Sequence, residues 1–263
     1  MELSDTFGGQ VKLPYSTGLI WSHCLLNKEI KDNFRLSGWF YKREEDSKII
    51  KQIKNPDIVA FSNFVWNTKI NHRVAKTIKE LYPNCLIIFG GLGNPNKKNV
   101  KAYLKQHDYI DLIVNGEGEI TFEHILSSYL HGRNYEEISG LSSKNFITKD
   151  RDRIKDIDTM PSPYLDGLFD KLVMESEDTF EGVIESTRGC PYQCTFCEIG
   201  DLYFQKMSMQ SNEKVFRELD WLSKNKIDFF YNADSNFGLL KNHGEIVDYM
   251  SQLKMDTGYP ANM

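Results

Sequence analysis

The residues best suited to chemistry are three cysteines in one short segment. Cys190, Cys194 and Cys197 have the spacing C-x3-C-x2-C, so one loop can present three thiolates. A [4Fe–4S] cluster takes four ligands, and three cysteines therefore leave one iron without a protein ligand. An open iron can bind and reduce a substrate or a second cofactor, which suits catalysis better than electron storage.

Two other uses of clustered cysteines stay open. A structural zinc site normally takes four protein ligands, often from a paired C-x2-C or H-x3-H, and no such pair follows Cys197. A disulfide framework is typical of small, cysteine-rich extracellular domains, whereas this chain has five cysteines in 263 residues. The spacing favours an iron–sulfur cluster over zinc or inert thiols. The other two cysteines, Cys24 and Cys85, lie in apolar runs and are predicted to be buried thiols.

The cysteine segment resembles that of the radical S-adenosylmethionine (SAM) enzymes. The resemblance rests on the spacing, on Arg188-Gly189 before the first cysteine, on Pro191 after it, and on Phe196 before the third. In that family the open iron chelates SAM, and electron transfer from the cluster releases a 5′-deoxyadenosyl radical. The resemblance implies that Phe196 packs beside the cluster and the adenine. It also implies a reductant protein such as flavodoxin or ferredoxin and a small-molecule or peptide substrate.

A second group of polar residues follows a predicted strand at 227–231. Asp234 and Asn236 lie in the segment Asn232–Gly238. In radical SAM enzymes the end of the second barrel strand holds the amino group of SAM, so the resemblance implies that Asp234 and Asn236 bind SAM. A carboxylate facing an ammonium is electrostatically favourable. The alternative is an ordinary turn rich in Asp, Asn and Gly.

Upstream of the cysteines, apolar runs alternate with amphipathic segments. Continuously apolar runs are typical of parallel strands covered on both faces, and we predict strands at 17–21, 57–62, 85–89 and 111–114. Apolar residues at helical spacing lie between and after the last three runs. This alternation predicts an α/β fold class: an N-terminal doubly wound, Rossmann-like parallel sheet domain. The first part of a radical SAM partial (β/α) barrel is expected to follow it.

Two of these strands end in glycine-rich turns. Ligands of open parallel sheets bind beyond the carboxyl ends of the strands, although α/β connections also use glycine for structural reasons alone. Together with the downstream cysteines, the turns resemble the cobalamin (B12)-binding domain that precedes many radical SAM modules. The resemblance implies a set of cobalamin contacts at Ser62, Gly90, Gly91, Gly116, Glu117 and Gly118, with Asn63, Trp66 and Asn67 as second choices.

One expected feature of B12 domains is missing from the sequence. Many of them donate a histidine to cobalt from a D-x-H-x-x-G segment, and this chain has no such segment. Cobalt then has no protein histidine, as is common among B12-dependent radical SAM methylases. The alternative is a domain that keeps the fold without the corrin.

The predicted domain order is a cobalamin-binding-like domain at 1–140, a linker at 141–180 and the N-terminal part of a radical SAM domain at 181–263. The linker combines alternating charges with Pro161 and Pro163. A full barrel of about 250 residues spends about 30 on each βα unit, so the interval from Cys190 holds roughly two and a half units. We therefore expect a fragment of a longer reading frame or half of a split enzyme.

The composition of the chain limits the kinds of molecule that it is expected to bind. The net charge of −5 and the pI near 5.7 disfavour binding to a nucleic-acid backbone. No apolar run is long enough for a membrane span, and the polar start of the chain does not resemble a signal peptide. An oxygen-sensitive cluster needs a reducing compartment, so we expect a cytoplasmic location.

These expectations combine into a radical SAM enzyme, and the cobalamin resemblance implies methyl transfer to an unactivated carbon. One alternative is a radical SAM enzyme with an empty B12-like domain that performs rearrangement, methylthiolation or another radical step. The other is a non-catalytic iron–sulfur or corrinoid-binding fragment.

Overall fold

The chain forms two compact units in a computed structural model that describes residues 1–197, 199 and 206–263. The first unit comprises residues 1–6 and 23–153, and the second comprises residues 7–22 and 154–263. The predicted domains are named by their functions: a cobalamin-binding-like domain, a linker and a radical SAM domain. That functional division stays a prediction.

Strands and helices alternate along most of the chain. The strands are β1 (Gln10–Lys12), β2 (Ile58–Ser62), β3 (Leu86–Gly90), β4 (Leu112–Val114), β5 (Leu141–Ser142), β6 (Thr179–Ile184), β7 (Thr187–Arg188), β8 (Ser208–Met209) and β9 (Phe230–Asn232). The helices are α1 (Tyr15–Cys24), α2 (Lys28–Asn33), α3 (Asp46–Gln52), α4 (Thr68–Leu81), α5 (Val100–Gln106), α6 (Glu119–Leu130), α7 (Asp170–Glu175), α8 (Asn212–Lys224) and α9 (Asn242–Thr257), with a 3-10 turn at Ile157–Thr159.

The first unit is built on a sheet in the order β2-β3-β4-β5. Strands β2, β3 and β4 are parallel, and β5 joins β4 in the antiparallel direction. The strands predicted at 57–62, 85–89 and 111–114 are confirmed to within one residue at each end. They are apolar because helices cover both faces of the sheet.

Side chains of neighbouring residues on β3 enter opposite hydrophobic cores. Phe89 packs with Val74 and Ile78 of α4 in one core, and its ring centroid lies 4.9 Å from that of Phe61 on β2. Ile88 packs with Ile125 of α6 in the other core. This two-sided burial is the arrangement of a doubly wound α/β fold, and it confirms the predicted fold class.

The strand predicted at 17–21 is wrong, because this segment belongs to helix α1. The buried positions of α1 include Tyr15, Gly18, Leu19 and Ser22, which recur at helical spacing. Because glycine and serine do not count as large apolar residues, the apolar periodicity of this helical face is not recognisable in the sequence. A β-carbon at Gly18 would lie only 2.5 Å from the Phe169 ring, so the close packing of α1 requires glycine.

The second unit contains the parallel sheet β1-β6-β9 and the short antiparallel pair β7-β8. The strand predicted at 227–231 overlaps β9, and β6 and β7 precede the cysteine segment. One parallel bridge also joins Phe229 and Asn262. Because β6 and β9 are parallel, their carboxyl ends meet at one edge, directly before the cysteine segment.

Burial also agrees with the predicted thiol roles. Cys24 and Cys85 are buried in apolar surroundings, and burial raises the pKa of both, that of Cys85 to about 11. These thiols are therefore packing groups. Across the described ranges, no helix is both long enough and apolar enough to cross a membrane.

Candidate cofactor sites

The cysteine segment leaves the second unit's sheet through β7 and turns at Gly189, whose φ of +107° favours glycine. Cys190 is half-buried, and Cys194 and Cys197 are exposed; all three are free thiols. The Cys197 N–H donates to the Cys194 carbonyl at 3.1 Å, which gives the loop a local turn. Three accessible thiols in one loop provide the donor chemistry that an iron–sulfur cluster requires.

The thiols are not gathered around a common point. Among the described residues, no three His, Cys, Asp or Glu side chains lie in an arrangement that holds a metal ion. The assignment of Cys190, Cys194 and Cys197 as cluster ligands stays a prediction.

An ion pair holds the start of the loop. The Arg188 guanidinium donates from Nε and Nη2 to the Glu185 carboxylate, with Nη2 at 2.7 Å from Oε2. Both side chains are largely buried, where a two-pronged contact is stronger than on the surface. Gln210 donates from Nε2 to the Glu185 carbonyl. Glu185 is therefore held through both its backbone and its side chain.

Asp234 lies at the end of β9 and is used internally. Its Oδ1 accepts the backbone N–H groups of Ser186 at 2.7 Å and Thr187 at 2.9 Å, and its Oδ2 accepts the Ser186 hydroxyl. The side chain is completely shielded from solvent. The carboxylate therefore connects β9 to the turn that leads into the cysteine loop. Its predicted contact with SAM stays a prediction.

Several polar atoms near this turn are buried without a hydrogen bond to any other described residue. They include Thr187 Oγ1, Asn236 Nδ2 and His243 Nε2. Buried polar groups are normally paired, so an unpaired donor such as Asn236 Nδ2 is available to a ligand. The sequence patterns identified Asn236 but missed Thr187 and His243, because neither belongs to a recognisable motif.

The Phe196 side chain is accessible to a ligand. Its side chain is 90% exposed, and it stands directly before Cys197. The exposure is compatible with the predicted position beside a cluster and an adenine.

In the first unit, an asparagine network organises the carboxyl edge of the sheet. Asn67 donates from Nδ2 to the carbonyls of Leu3 and Ser62, and its Oδ1 accepts the N–H of Phe64. Asn71 also donates to the Ser62 carbonyl, at 3.2 Å. The predicted Ser62 therefore contributes its backbone to the network, and Asn71 is a member that the sequence patterns missed.

Gly91 is exposed and lets two loops approach closely. Its φ is +93°, and a β-carbon there would lie 2.7 Å from the Asn63 carbonyl oxygen. The neighbouring Gly90 pairs with Ser62 in the sheet, and its carbonyl accepts the Asn63 N–H at 2.7 Å. The two predicted glycines and Asn63 are thus brought together at one edge.

The second glycine turn follows β4. Gly116 is exposed with φ of +79°, and Gly118 is the residue before α6. Between them, Glu117 is buried, with its Oε1 at 3.6 Å from Arg153 Nη2. The turn therefore offers backbone at its surface while its acidic side chain points into the protein.

Aromatic surface completes this edge. The rings of Phe64 and Trp66 are stacked with centroids 4.6 Å apart and planes 2° from parallel. Trp66 is 55% exposed and its neighbour Val65 is 81% exposed. This flat apolar patch lies in the loop after β2, next to the amides of Asn63 and Asn67.

Comparison with known proteins finds similarity along most of the chain. No family model matches the chain. The cobalamin-dependent radical SAM methyltransferase TokK of Streptomyces tokunonensis is 27% identical over 259 residues, which cover 95% of this chain and 38% of TokK. The cobalamin-dependent SAM radical enzyme OxsB, solved with aqua-cobalamin and SAM, has a TM-score of 0.65 at 19% identity over 97% of this chain and 36% of OxsB. The methyltransferase TsrM of Kitasatospora setae, solved with cobalamin and a [4Fe–4S] cluster, has a TM-score of 0.66 at 16% identity, covering 99% of this chain and 53% of TsrM.

The chain is thus similar in sequence to a cobalamin-dependent radical SAM methyltransferase and similar in fold to two enzymes solved with cobalamin. The chain is a homologue of the methyltransferases of this class. It spans less than two fifths of the length of TokK.

Proposed function

We propose that this chain forms the cobalamin-binding and cluster-binding part of a radical SAM methyltransferase that methylates an unactivated carbon of a small molecule. The observation that carries the proposal is the set of three accessible thiols after β7, in a chain homologous to TokK over 95% of its length. The substrate and the reductant protein belong to the same proposal.

In the second unit, Cys190, Cys194 and Cys197 would hold the cluster. A bound cluster supplies one electron to SAM, and this cofactor chemistry produces a carbon radical that ordinary acid–base groups cannot generate. The protein's part is to hold the loop through the Glu185–Arg188 pair and to cover the cofactors with Phe196.

SAM would be oriented by groups at the carboxyl ends of β6 and β9. Asn236 Nδ2 and Thr187 Oγ1 are buried and have no partner within the described ranges. The amide is a donor that suits the SAM carboxylate, and the threonine hydroxyl both donates and accepts. These groups support a polar contact with SAM beside the cysteine loop.

In the first unit, cobalamin would lie across the carboxyl edge of the sheet. Ser62, Gly90, Gly91, Gly116, Glu117 and Gly118 are the proposed contacts. The exposed backbone at Gly91 and Gly116 allows close approach, and the Trp66 ring offers a flat apolar surface to a planar macrocycle. This edge is where open parallel sheets bind ligands.

Anaerobic reconstitution with iron and sulfide tests the proposal. We expect iron and sulfide to load, and the EPR spectrum of the dithionite-reduced cluster to change when SAM is added. Hydroxocobalamin should give a protein-bound corrin spectrum.

Two variants sharpen this test. Cys194→Ala should lose the cluster, whereas Cys85→Ala, which removes a buried thiol of the first unit, should retain it. Zinc instead of iron, or a spectrum unaffected by SAM, would contradict the proposed function. Cluster formation without any corrin binding would leave a radical SAM protein with an empty B12-like domain.

A further inference from the structure

We propose that Asp234 and His243 act as a clamp that positions the cysteine loop, and that Asp234 does not contact SAM directly. The inference rests on the proposed function, since it concerns the same loop. It assigns positioning roles to a residue expected to bind SAM and to a histidine outside any sequence motif.

The first line of evidence is that most hydrogen-bond acceptor positions of the Asp234 carboxylate are already used. Oδ1 accepts two backbone N–H groups, from Ser186 and Thr187, and Oδ2 accepts the Ser186 hydroxyl. A carboxylate has about four acceptor positions, and three of them are used here. With its side chain fully shielded from solvent, Asp234 has little capacity for an additional ammonium group.

The place of these contacts in the chain explains what they control. Ser186 and Thr187 lie at the exit of β6, shortly before Cys190, whereas Asp234 follows β9. Charge-assisted bonds to consecutive backbone N–H groups fix both the direction and the orientation of the peptide. Asp234 therefore determines where the polypeptide starts the cysteine loop.

His243 closes the clamp from the opposite side. Its Nδ1 accepts the Gly238 N–H at 2.6 Å, and its ring stacks on Phe237 with centroids 4.6 Å apart. Since Nδ1 is an acceptor, the neutral imidazole carries its proton on Nε2. Nε2 is buried, lies 3.9 Å from Asp234 Oδ2, and has no hydrogen bond to another described residue.

In this arrangement the residues in and around the 234–238 loop have different roles. His243 holds the loop through Gly238 and directs a polar N–H edge at the Asp234 carboxylate. Asn236, between them, has an Nδ2 that forms no hydrogen bond with the residues that the structure describes. We therefore assign the contact with SAM to Asn236 and the alignment of the cysteine loop to Asp234 and His243.

Hydrogen–deuterium exchange on the metal-free full chain provides the first readout. In Asp234→Ala, both acceptor oxygens are removed, and the N–H groups of Ser186 and Thr187 should exchange at least about tenfold faster than in the wild type. In Asn236→Ala they should keep the wild-type rate. Since no cluster is present, this result does not depend on the proposed function.

The second readout uses the cluster-loaded chain. Asp234→Asn should change the EPR spectrum and the reduction potential of the cluster before SAM is added. Asn236→Ala should leave both unchanged and raise the SAM concentration for half-maximal spectral change roughly tenfold, as expected for one hydrogen bond to a charged group.

Variants of His243 keep the test decisive if the Asp234 variants do not fold. His243→Gln retains an N–H near the position of Nε2 and should preserve the SAM-free spectrum, whereas His243→Phe should change it. The inference is overturned if Asp234→Ala leaves the amide exchange of Ser186 and Thr187 intact, or if Asp234→Asn leaves the SAM-free spectrum intact but weakens SAM binding. Equal behaviour of the Gln and Phe variants would also overturn it.

Discussion

Lys214 and Glu218 lie one turn apart on α8, and each partly offsets the effect of burial on the pKa of the other. Burial raises the pKa of Glu218 from 4.5 to about 7, against the opposing effects of Ser162 and Lys214. Burial lowers the pKa of Lys214, against Glu218 and nearby aspartates. The Lys214 ammonium itself donates to the carbonyls of Ile157, Asp158 and Met160. Glu218 is therefore a buried carboxyl group without full compensation.

The first prediction follows from this pKa. The folded state retains the Glu218 proton up to pH about 7, whereas the unfolded state loses it near pH 4.5. Stability should fall as pH rises between these values, and the full penalty above pH 7 is on the order of 3 kcal/mol. Glu218→Gln should stabilise the chain against urea at pH about 8 and much less at pH about 4. Glu213→Gln, an exposed position of the same helix, is the control and should show no such dependence. A variant no more stable than the wild type at the higher pH would refute the interpretation.

The second prediction concerns close packing in the second unit. A β-carbon at Gly182 on β6 would lie 2.7 Å from Leu222 and 3.1 Å from Phe230. Gly182→Ala should destabilise the chain by about 1–3 kcal/mol, the usual cost of overpacking. Gly244→Ala is the matched control, because Gly244 lies in α9 with open space around it. It should stabilise the chain by roughly 0.5–1 kcal/mol through helix propensity. Thermal denaturation measures both, and similar effects of the two substitutions would contradict the packing described.

The third prediction concerns the asparagine network of the first unit. Asn67→Ala removes the donor to the Leu3 and Ser62 carbonyls and the acceptor for the Phe64 N–H. Since buried groups that lose their partners cost about 1–3 kcal/mol each, a clear loss of stability is expected. Asn99→Ala, before α5 and without a side-chain cap contact, should have little effect. Chemical denaturation compares them, and an unchanged Asn67→Ala would show that the network is energetically unimportant.

The fourth prediction concerns the aromatic patch at the same edge. Trp66→Ala should weaken hydroxocobalamin binding about tenfold or more, because loss of a buried aromatic contact is worth at least about 1.4 kcal/mol. Folding should change little, since the indole is more than half exposed. Val65→Ala, also exposed, is the control. Spectral titration measures the affinity, and equal affinity in the Trp66 variant would place the corrin elsewhere.

The central strands were predictable because their environment leaves a simple signal. Strands covered on both faces are apolar at successive positions, as Ile87, Ile88 and Phe89 are. Helix α1 escaped because its buried face contains Gly18 and Ser22 beside Tyr15 and Leu19. At Gly18 the absence of a side chain is what allows the close packing. A search for apolar residues at regular spacing does not detect such a position.

The sequence by itself determined the local properties of this protein: the thiol spacing at Cys190, Cys194 and Cys197, and the periodicity of its strands and helices. These depend on residues that are neighbours in the chain. The tertiary structure alone decided that Asp234 binds Ser186 and Thr187 and that Gly91 makes room for Asn63. Such relationships join residues tens of positions apart, and their geometry is set by which strands become neighbours in a sheet. Composition and spacing indicate which groups are available for chemistry, but only the packed sheets determine which are already used to hold the protein together.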